Sequence, residues 1–155
     1  MWESRVFRGV NQLNLDTKGR LAIPSCYRES LSAHTPVVLT IDTQEKCLLI
    51  YTLIQWLEIE KQVDALPSFD PAVKRVQRLL LGHATDVIID NNGRLLVPPP
   101  LREYAQLNKK VVLIGQGKKF ELWDEEKWSV CRETWLKEEI EVQEPRPDSL
   151  LAISL

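Results

Sequence analysis

The sequence predicts an α+β, β-rich chain made of two similar halves related by a pseudo-two-fold axis. A motif, DTKGRLAIP at residues 16–24, recurs 74 residues later as DNNGRLLVP at residues 90–98. Runs of β-branched and aliphatic residues at 37–41 and 111–114 follow the two motifs at the same spacing and predict strands. Because such matches recur in order, they indicate an internal duplication, and two copies are too few for a solenoid.

The first half begins with a predicted strand at residues 6–15, which enters a hairpin at the first motif. Asp16 can accept hydrogen bonds from the backbone of its own turn, and Gly19 supplies the positive φ that the turn needs. Residues 20–23 are the predicted return strand, and Pro24 starts a short helix. The apolar face of that helix consists of Ile23, Tyr27 and Leu31.

Two more strands are predicted at 37–41 and 47–51, followed by two helices. Thr52 and Gln55 have capping-box spacing and predict a helix to about residue 64, and Asp70 followed by Pro71 predicts a second helix over 71–81. We expect this second helix to pack Val73, Val76 and Leu80 against the first half. Its solvent face then contains Lys74, Arg75 and Arg78.

The second half repeats these features from residue 85 onward. Val97, Leu101 and Ala105 repeat the apolar helix face, and strands are predicted at 111–114 and 120–123 with a loop at 115–119. Asp124 occupies the position of the Thr52 cap, and Trp128 and Trp135 occupy those of Trp56 and Val63. The acidic, proline-containing tail after residue 138 has no counterpart in the first half.

The composition indicates a soluble globular protein, with 44% hydrophobic and 27% charged residues. A net charge of −2 argues against nucleic-acid binding, but it conceals an asymmetry. Residues 1–119 contain 16 Lys and Arg against 12 Asp and Glu (net +4), whereas residues 120–155 contain 4 against 10 (net −6). Such a chain can present one basic and one acidic surface.

The cysteines predict neither disulfides nor a metal centre. Cys26, Cys47 and Cys131 show no C-x-x-C spacing, and with only two histidines we expect no zinc site. They are expected to be reduced and to pack as small apolar side chains. The first residues contain no apolar signal sequence, and the apolar runs are too short to span a bilayer, so a cytoplasmic protein without membrane contact is predicted.

The repeated motif suggests several functions. A structural one is an Asp–Arg pair that braces the turn, a contact worth only about 0–1 kcal/mol on a surface. Calcium binding is rejected because an EF-hand loop places its glycine two positions later and ends in glutamate. Aspartic-protease chemistry is rejected because Lys18 and Asn91-Asn92 interrupt the required triplet. The prediction is therefore no enzyme, no cofactor and no small-molecule substrate.

DNA binding explains why an arginine follows the glycine in both copies. An arginine on a two-stranded β element can reach base edges in the major groove or the phosphates beside it. Arg20 and Arg94 are the predicted base contacts. The predicted phosphate contacts are Lys18, Arg5, Arg8 and Arg28.

The chain resembles the MraZ family from about residue 6 to 138, through Arg8-Gly9, DxKGRLxIP and DxxGRLxVP. The resemblance implies tandem SpoVT-AbrB-like domains of swapped-hairpin type at 7–54 and 81–125, with a helix and acidic tail at 126–155. It also implies a homo-oligomeric ring in the nucleoid whose loops face double-stranded DNA. The resemblance further implies a repressor of its own operon, the division and cell-wall gene cluster, that acts through repeated boxes upstream.

Carried over to this sequence, the resemblance makes Arg20 and Arg94 the DNA contacts, with Lys18 in support. Asp16, Gly19, Asp90 and Gly93 shape the turns. Asn92 replaces the lysine expected by analogy with Lys18, so the second loop contributes less charge. An antitoxin-type regulator of the same β class and a scaffold that uses the loops for protein partners remain alternatives.

Overall fold

The computed structural model describes residues 6–31, 34–141 and 145–154, which form two antiparallel sheets and short helices. The strands are β1 (Phe7–Asn14), β2 (Arg20–Ala22), β3 (Val37–Ile41), β4 (Leu48–Thr52), β5 (Thr85–Val87), β6 (Arg94–Leu96), β7 (Lys110–Gly117) and β8 (Phe120–Asp124). The α-helices are α1 (Ser25–Arg28), α2 (Leu53–Asp64), α3 (Pro71–Val76), α4 (Pro99–Ala105), α5 (Glu125–Ile140) and α6 (Asp148–Leu151). The predicted β-rich α+β class is confirmed.

The two halves exchange strands in the six-stranded sheet, whose order is β1-β7-β8-β4-β3-β5. Strand β1 of the first half pairs with β7 of the second, with Val10 opposite Ile114. Strand β5 of the second half pairs with β3 of the first, with Val38 opposite Asp86. The order is symmetric about the central β8–β4 pair, as the duplication predicted.

Strand β2 does not form the local hairpin that the turn predicted. It pairs with β6 of the other half, while its contact with the β1 side is the single bridge Leu15–Leu21. Leu21 and Leu95 lie opposite each other and are both fully buried. The exchange therefore places one apolar side chain from each half under the same small sheet.

The apolar faces predicted around the motifs form the core that both halves share. Ile23, Tyr27 and Leu31 are buried, as are their counterparts Val97, Leu101 and Ala105, so this prediction is confirmed. A second cluster lies under α2 and contains Val38, Leu49, Tyr51 and Trp56. Burial of these side chains stabilises the arrangement by the usual hydrophobic contribution of about 1.5–3 kcal/mol for each large side chain.

The predicted caps are also confirmed. Thr52 Oγ1 accepts a hydrogen bond from the Gln55 amide at 3.3 Å. Asp70 Oδ1 accepts one from the Ala72 amide at 2.9 Å. Both bonds satisfy backbone donors that a helix leaves free at its first turn.

The helix predicted over 71–81 changes its pitch part-way. α3 ends at Val76 and continues as a π-helical segment, Gln77–Leu81. A π-helix has more residues in each turn than an α-helix, so the inward face rotates. Val76, the last residue of α3, is exposed, against the prediction, whereas Val73 and Leu80 are half-buried and Lys74, Arg75 and Arg78 are exposed as predicted.

The loop expected at 115–119 is shorter than predicted. Strand β7 extends to Gly117, and the Gln116 amide donates to the Lys119 carbonyl at 2.9 Å across a tight turn. Gly117 has a φ of +77° there. A glycine permits this left-handed conformation without steric cost.

The backbone contacts divide the chain into one unit at Met1–Glu125 and another at Glu126–Leu155. In the second unit the rings of Trp128 and Trp135 meet edge to face at 5.9 Å, and Arg146 Nη2 lies 2.8 Å from Glu139 Oε2. Leu150, Leu151 and Ile153 in the tail are exposed. Among the described residues, no helix is both long and apolar enough to cross a membrane.

Candidate nucleic-acid interface

The first motif forms a turn that is closed by the carboxylate of Asp16. Asp16 Oδ1 accepts hydrogen bonds from the amides of Lys18 (2.9 Å) and Arg20 (2.8 Å). The Gly19 amide donates to the Asp16 carbonyl at 3.0 Å. The other carboxylate oxygen, Oδ2, accepts from Arg20 Nε at 2.8 Å. One side chain thus shapes the turn and orients the arginine.

The second motif repeats this geometry. Asp90 Oδ1 accepts from the amides of Asn92 and Arg94, each at 2.9 Å, and Oδ2 accepts from Arg94 Nε at 3.2 Å. Gly19 and Gly93 have φ values of +84° and +75°, in the left-handed region that favours glycine. These contacts lie at Asp16, Gly19, Asp90 and Gly93, the residues expected to shape the turns.

The small sheet of β2 and β6 places both arginines on one surface. Arg20 lies opposite Leu96, and Arg94 lies opposite Ala22, while the central pair of leucines faces the core. Side chains alternate along a strand, so Arg20, Ala22, Arg94 and Leu96 share the outer face. The two arginines are diagonal neighbours, and the Cα atoms of such a pair are about 7–8 Å apart.

Both arginine side chains are partly exposed, at 29% for Arg20 and 35% for Arg94. Within the described part of the chain, their hydrogen bonds run from Nε to the aspartate of the same loop. An arginine has five N–H donors, so this bond leaves the Nη groups available. The same arginine can therefore brace the turn through Nε and bind a ligand through its Nη groups.

The aspartates are ionised well below neutral pH. Hydrogen bonding from the Arg20 amide, together with the bonds from Arg20 Nε and the Lys18 amide, lowers the pKa of Asp16 to about 2. The Arg94 amide hydrogen bond likewise lowers the pKa of Asp90. Both carboxylates are charged acceptors in neutral solution, and charge-assisted hydrogen bonds of this kind are stronger than neutral ones.

A second pair of arginines joins the two loops. Arg28 Nε donates to the Ile23 carbonyl at 2.9 Å, and its guanidinium lies against Gly93 of the other half. Arg102 Nε donates to the Val97 carbonyl at 3.0 Å and lies against Gly19. A Cβ on Gly93 would lie 2.6 Å from Arg28 Nε, so the close approach requires glycine.

Backbone hydrogen bonds also connect the halves, from the Ile23 amide to the Gly93 carbonyl (2.8 Å) and from the Val97 amide to the Gly19 carbonyl (2.9 Å). Arg28 is among the predicted phosphate contacts, whereas Arg102 was not predicted. The offset of 74 residues between the motifs also separates these two arginines, and applying it to Arg28 would have found Arg102.

The remaining predicted phosphate contacts are less closely grouped. Lys18 is exposed at the tip of the first loop, and Asn92 is exposed at the equivalent position of the second. Arg8 is exposed on β1, outside the small sheet. Arg5 lies outside the described residues.

The cysteines differ from one another in their surroundings. Cys47 is buried and Cys131 half-buried, but Cys26 is exposed, so the prediction of three packed thiols is wrong for Cys26. Burial raises the pKa of the Cys47 thiol, whose Sγ lies 3.8 Å from Asp42 Oδ2. Asp42, Cys47 and Glu121 have ligand atoms within 4.8 Å of one another, although the thiol already donates to Asp42.

The chain matches a family of known proteins over most of its length. A model of the MraZ protein family, described as antitoxin-like, matches residues 6–79 and again residues 80–146. The chain belongs to the MraZ family. Proteins named transcriptional regulator MraZ from Legionella pneumophila (strain Corby) and Coxiella burnetii (strain Dugway 5J108-111) are 54% and 52% identical to it.

These MraZ relatives align over their full length with 97% of this chain, and one from Halorhodospira halophila is 55% identical over the same extent. The two matches to the MraZ model follow one another along the chain, in agreement with the duplicated motif.

Proposed function

We propose that this chain is a DNA-binding transcriptional regulator that contacts double-stranded DNA through its two D-x-x-x-R loops. Its relatives are named transcriptional regulators, which supports the regulatory role. The observation on which the DNA contact rests is the pair of arginines on the outer face of β2 and β6. Each guanidinium is fixed at Nε by its aspartate, and its Nη groups have no hydrogen-bond partner among the described residues.

This geometry suits the major groove. A two-stranded β element fits that groove, and an arginine can donate two hydrogen bonds to guanine O6 and N7. Fixing Nε in advance lowers the entropy lost when the side chain is immobilised on DNA. Ala22 and Leu96, exposed on the same face, add an apolar surface of the kind that contacts a thymine methyl group.

Phosphate contacts would surround these base contacts. Lys18 at the tip of the first loop is the best placed, and Arg28 and Arg102 lie next to the loops through their contacts with the motif glycines. Phosphate contacts orient a protein on the duplex without reading its sequence. The basic residues of 1–119, with a net charge of +4, favour approach to DNA from this part of the chain.

The finer features of the proposal concern assembly and regulation. We propose that the chain forms a homo-oligomeric ring, binds repeated boxes upstream of its own operon in the nucleoid, and represses that operon, the division and cell-wall gene cluster. We further propose the domain limits 7–54 and 81–125, followed by 126–155. The family relationship and the presence of two equivalent loops in each chain support these features.

The experiment is selection of bound DNA from a random pool, with the mass of the complex measured alongside. The proposal predicts enrichment of one short box that occurs several times in each selected molecule. Binding without enrichment, and with little dependence on salt, would favour the scaffold alternative and contradict sequence-specific regulation. Stoichiometric co-purification of a second, toxic protein would favour the antitoxin-type alternative.

A further inference from the structure

An exposed groove lies along α3, the segment before it and the π-helical segment after it. It has a volume of about 620 Å³ and is lined by Phe69, Pro71, Lys74, Arg75, Arg78 and Leu79. Phe69 is 89% exposed, although a phenylalanine in water leaves a large apolar surface hydrated. The three cations form no ion pair with any described residue.

The end of α5 has the complementary chemistry. Ile140 is 85% exposed, and acidic residues flank it on both sides. Glu139 is held by Arg146, but Glu138 and Glu141 form no ion pair within the described chain. The end of α5 thus combines an exposed apolar side chain with carboxylates that have no ion-pair partner among the described residues, and the groove combines an exposed phenylalanine with cations of which the same is true.

We propose that the groove binds the acidic end of α5 from a second copy of this chain. In this contact Ile140 packs against Phe69 and Leu79, while Glu138 and Glu141 pair with Arg75 and Arg78. The inference rests on the self-assembly part of the proposed function and names the surfaces that assemble.

Two features of the chain favour this occupant. A ring is built from head-to-tail contacts, which require two different and complementary surfaces on each chain, and the groove and the end of α5 provide them. The charge of the sequence agrees with this contact, because residues 1–119, which contain the groove, have a net charge of +4 and residues 120–155, which contain the end of α5, have a net charge of −6. A DNA phosphate backbone would satisfy the cations but would leave the apolar lining of the groove without a partner.

Charge reversal on each side tests the contact in the full-length chain. The groove variant is Arg75→Glu/Arg78→Glu, and the tail variant is Glu138→Lys/Glu141→Lys. Because like charges then face each other, each variant alone should need at least about tenfold higher concentration to assemble. The matched control is Lys118→Glu/Lys119→Glu, which makes the same change in charge outside the groove and should assemble normally.

Mixing the groove variant with the tail variant is the decisive arm. Each groove then meets a tail of opposite charge on the other variant, so an equimolar mixture should regain the wild-type mass in light scattering. Docking of the tail within one chain could not be rescued by mixing, and a mixture that stays dissociated overturns the proposal. A wild-type chain that remains monomeric at all concentrations also overturns it.

Phe69→Ala provides a second test, because an exposed side chain contributes little to the fold. We expect unchanged circular dichroism and melting temperature but weaker assembly. If the groove variant loses DNA binding while its mass stays at the wild-type value, the groove is a nucleic-acid surface and the proposal is wrong. Failure of the DNA-binding proposal would be seen separately. It would appear as unchanged DNA affinity of Arg20→Ala/Arg94→Ala, a variant whose oligomer mass should equal that of the wild type.

Discussion

Replacing Gly93 with alanine should destabilise the protein by two separable effects. The residue has a φ of +75°, and an alanine in that left-handed conformation costs about 1–2 kcal/mol. Its Cβ would also lie 2.6 Å from Arg28 Nε and 2.8 Å from Arg28 Cζ, so the guanidinium must move. Moving it breaks the Nε hydrogen bond to the Ile23 carbonyl, which contributes about 0.5–1.5 kcal/mol. We therefore expect a loss of about 1.5–3.5 kcal/mol in the free energy of unfolding.

Gly117→Ala is the matched control. This glycine has a φ of +77°, but among the described residues other than its chain neighbours no atom lies within 4 Å of the position of its Cβ. It should cost the strain alone, about 1–2 kcal/mol. Urea unfolding of Gly93→Ala, Arg28→Ala and the double variant gives the coupling between the two sites. Once Arg28 is truncated, Gly93→Ala should cost no more than the control. Strictly additive losses, or equal losses for Gly93→Ala and Gly117→Ala, would refute contact between the halves through Arg28.

Three further outcomes follow from the loops. In Asp16→Asn the side-chain amide keeps an oxygen acceptor for the turn but cannot accept a hydrogen bond from Arg20 Nε. Competition gel shifts should therefore show a fall of about three- to tenfold in the preference for target over random DNA. An unchanged preference would contradict a role for the Asp16–Arg20 contact in DNA recognition. The folded-state pKa of Asp16, about 2, lies below its ordinary 3.8, so its contribution to stability is complete above about pH 4 and is lost as the pH falls towards 2. Carboxyl NMR titration with a midpoint for Asp16 near 4 would exclude this, and Asp90 should also titrate below its ordinary range. Asn92→Lys restores the cation present as Lys18 in the first loop and should steepen the salt dependence of DNA affinity by about 0.9 in log–log slope; an unaltered slope would place this tip away from the phosphates.

Much of the local structure could be predicted because it depends on neighbouring residues. Thr52 and Asp70 cap helices because their side chains reach amides two or three residues later. The motif turns follow from an aspartate and a glycine three residues apart. Ile23 and Leu101 are buried as the apolar periodicity required. These features need only a few consecutive residues, and the sequence contains them.

The strand partners could not be predicted in the same way. Because the halves are duplicated, β2 could present the same apolar pattern to its own half or to the other, and hydrophobic patterning does not distinguish the two. The choice of β6 is fixed by contacts distant in sequence, including Leu21 opposite Leu95 and the Ile23 amide on the Gly93 carbonyl.

The change of helix pitch after Val76 also depends on tertiary contacts. The buried Thr40 hydroxyl donates to the Leu80 carbonyl at 2.7 Å, and His83 Nδ1 lies 2.7 Å from the Leu79 carbonyl. These carbonyls belong to the π-helical segment, and nothing in residues 71–81 alone indicates their partners.

The most direct measurement is the affinity of Arg20→Ala/Arg94→Ala for a selected DNA box, compared with wild type and with Lys118→Ala/Lys119→Ala. If both arginines contact bases, the double variant should lose at least about thirtyfold in specific affinity, with unchanged mass and melting temperature. The control should lose little. Specific affinity that survives the loss of both guanidinium groups would contradict the account and limit the duplicated loops to a structural role.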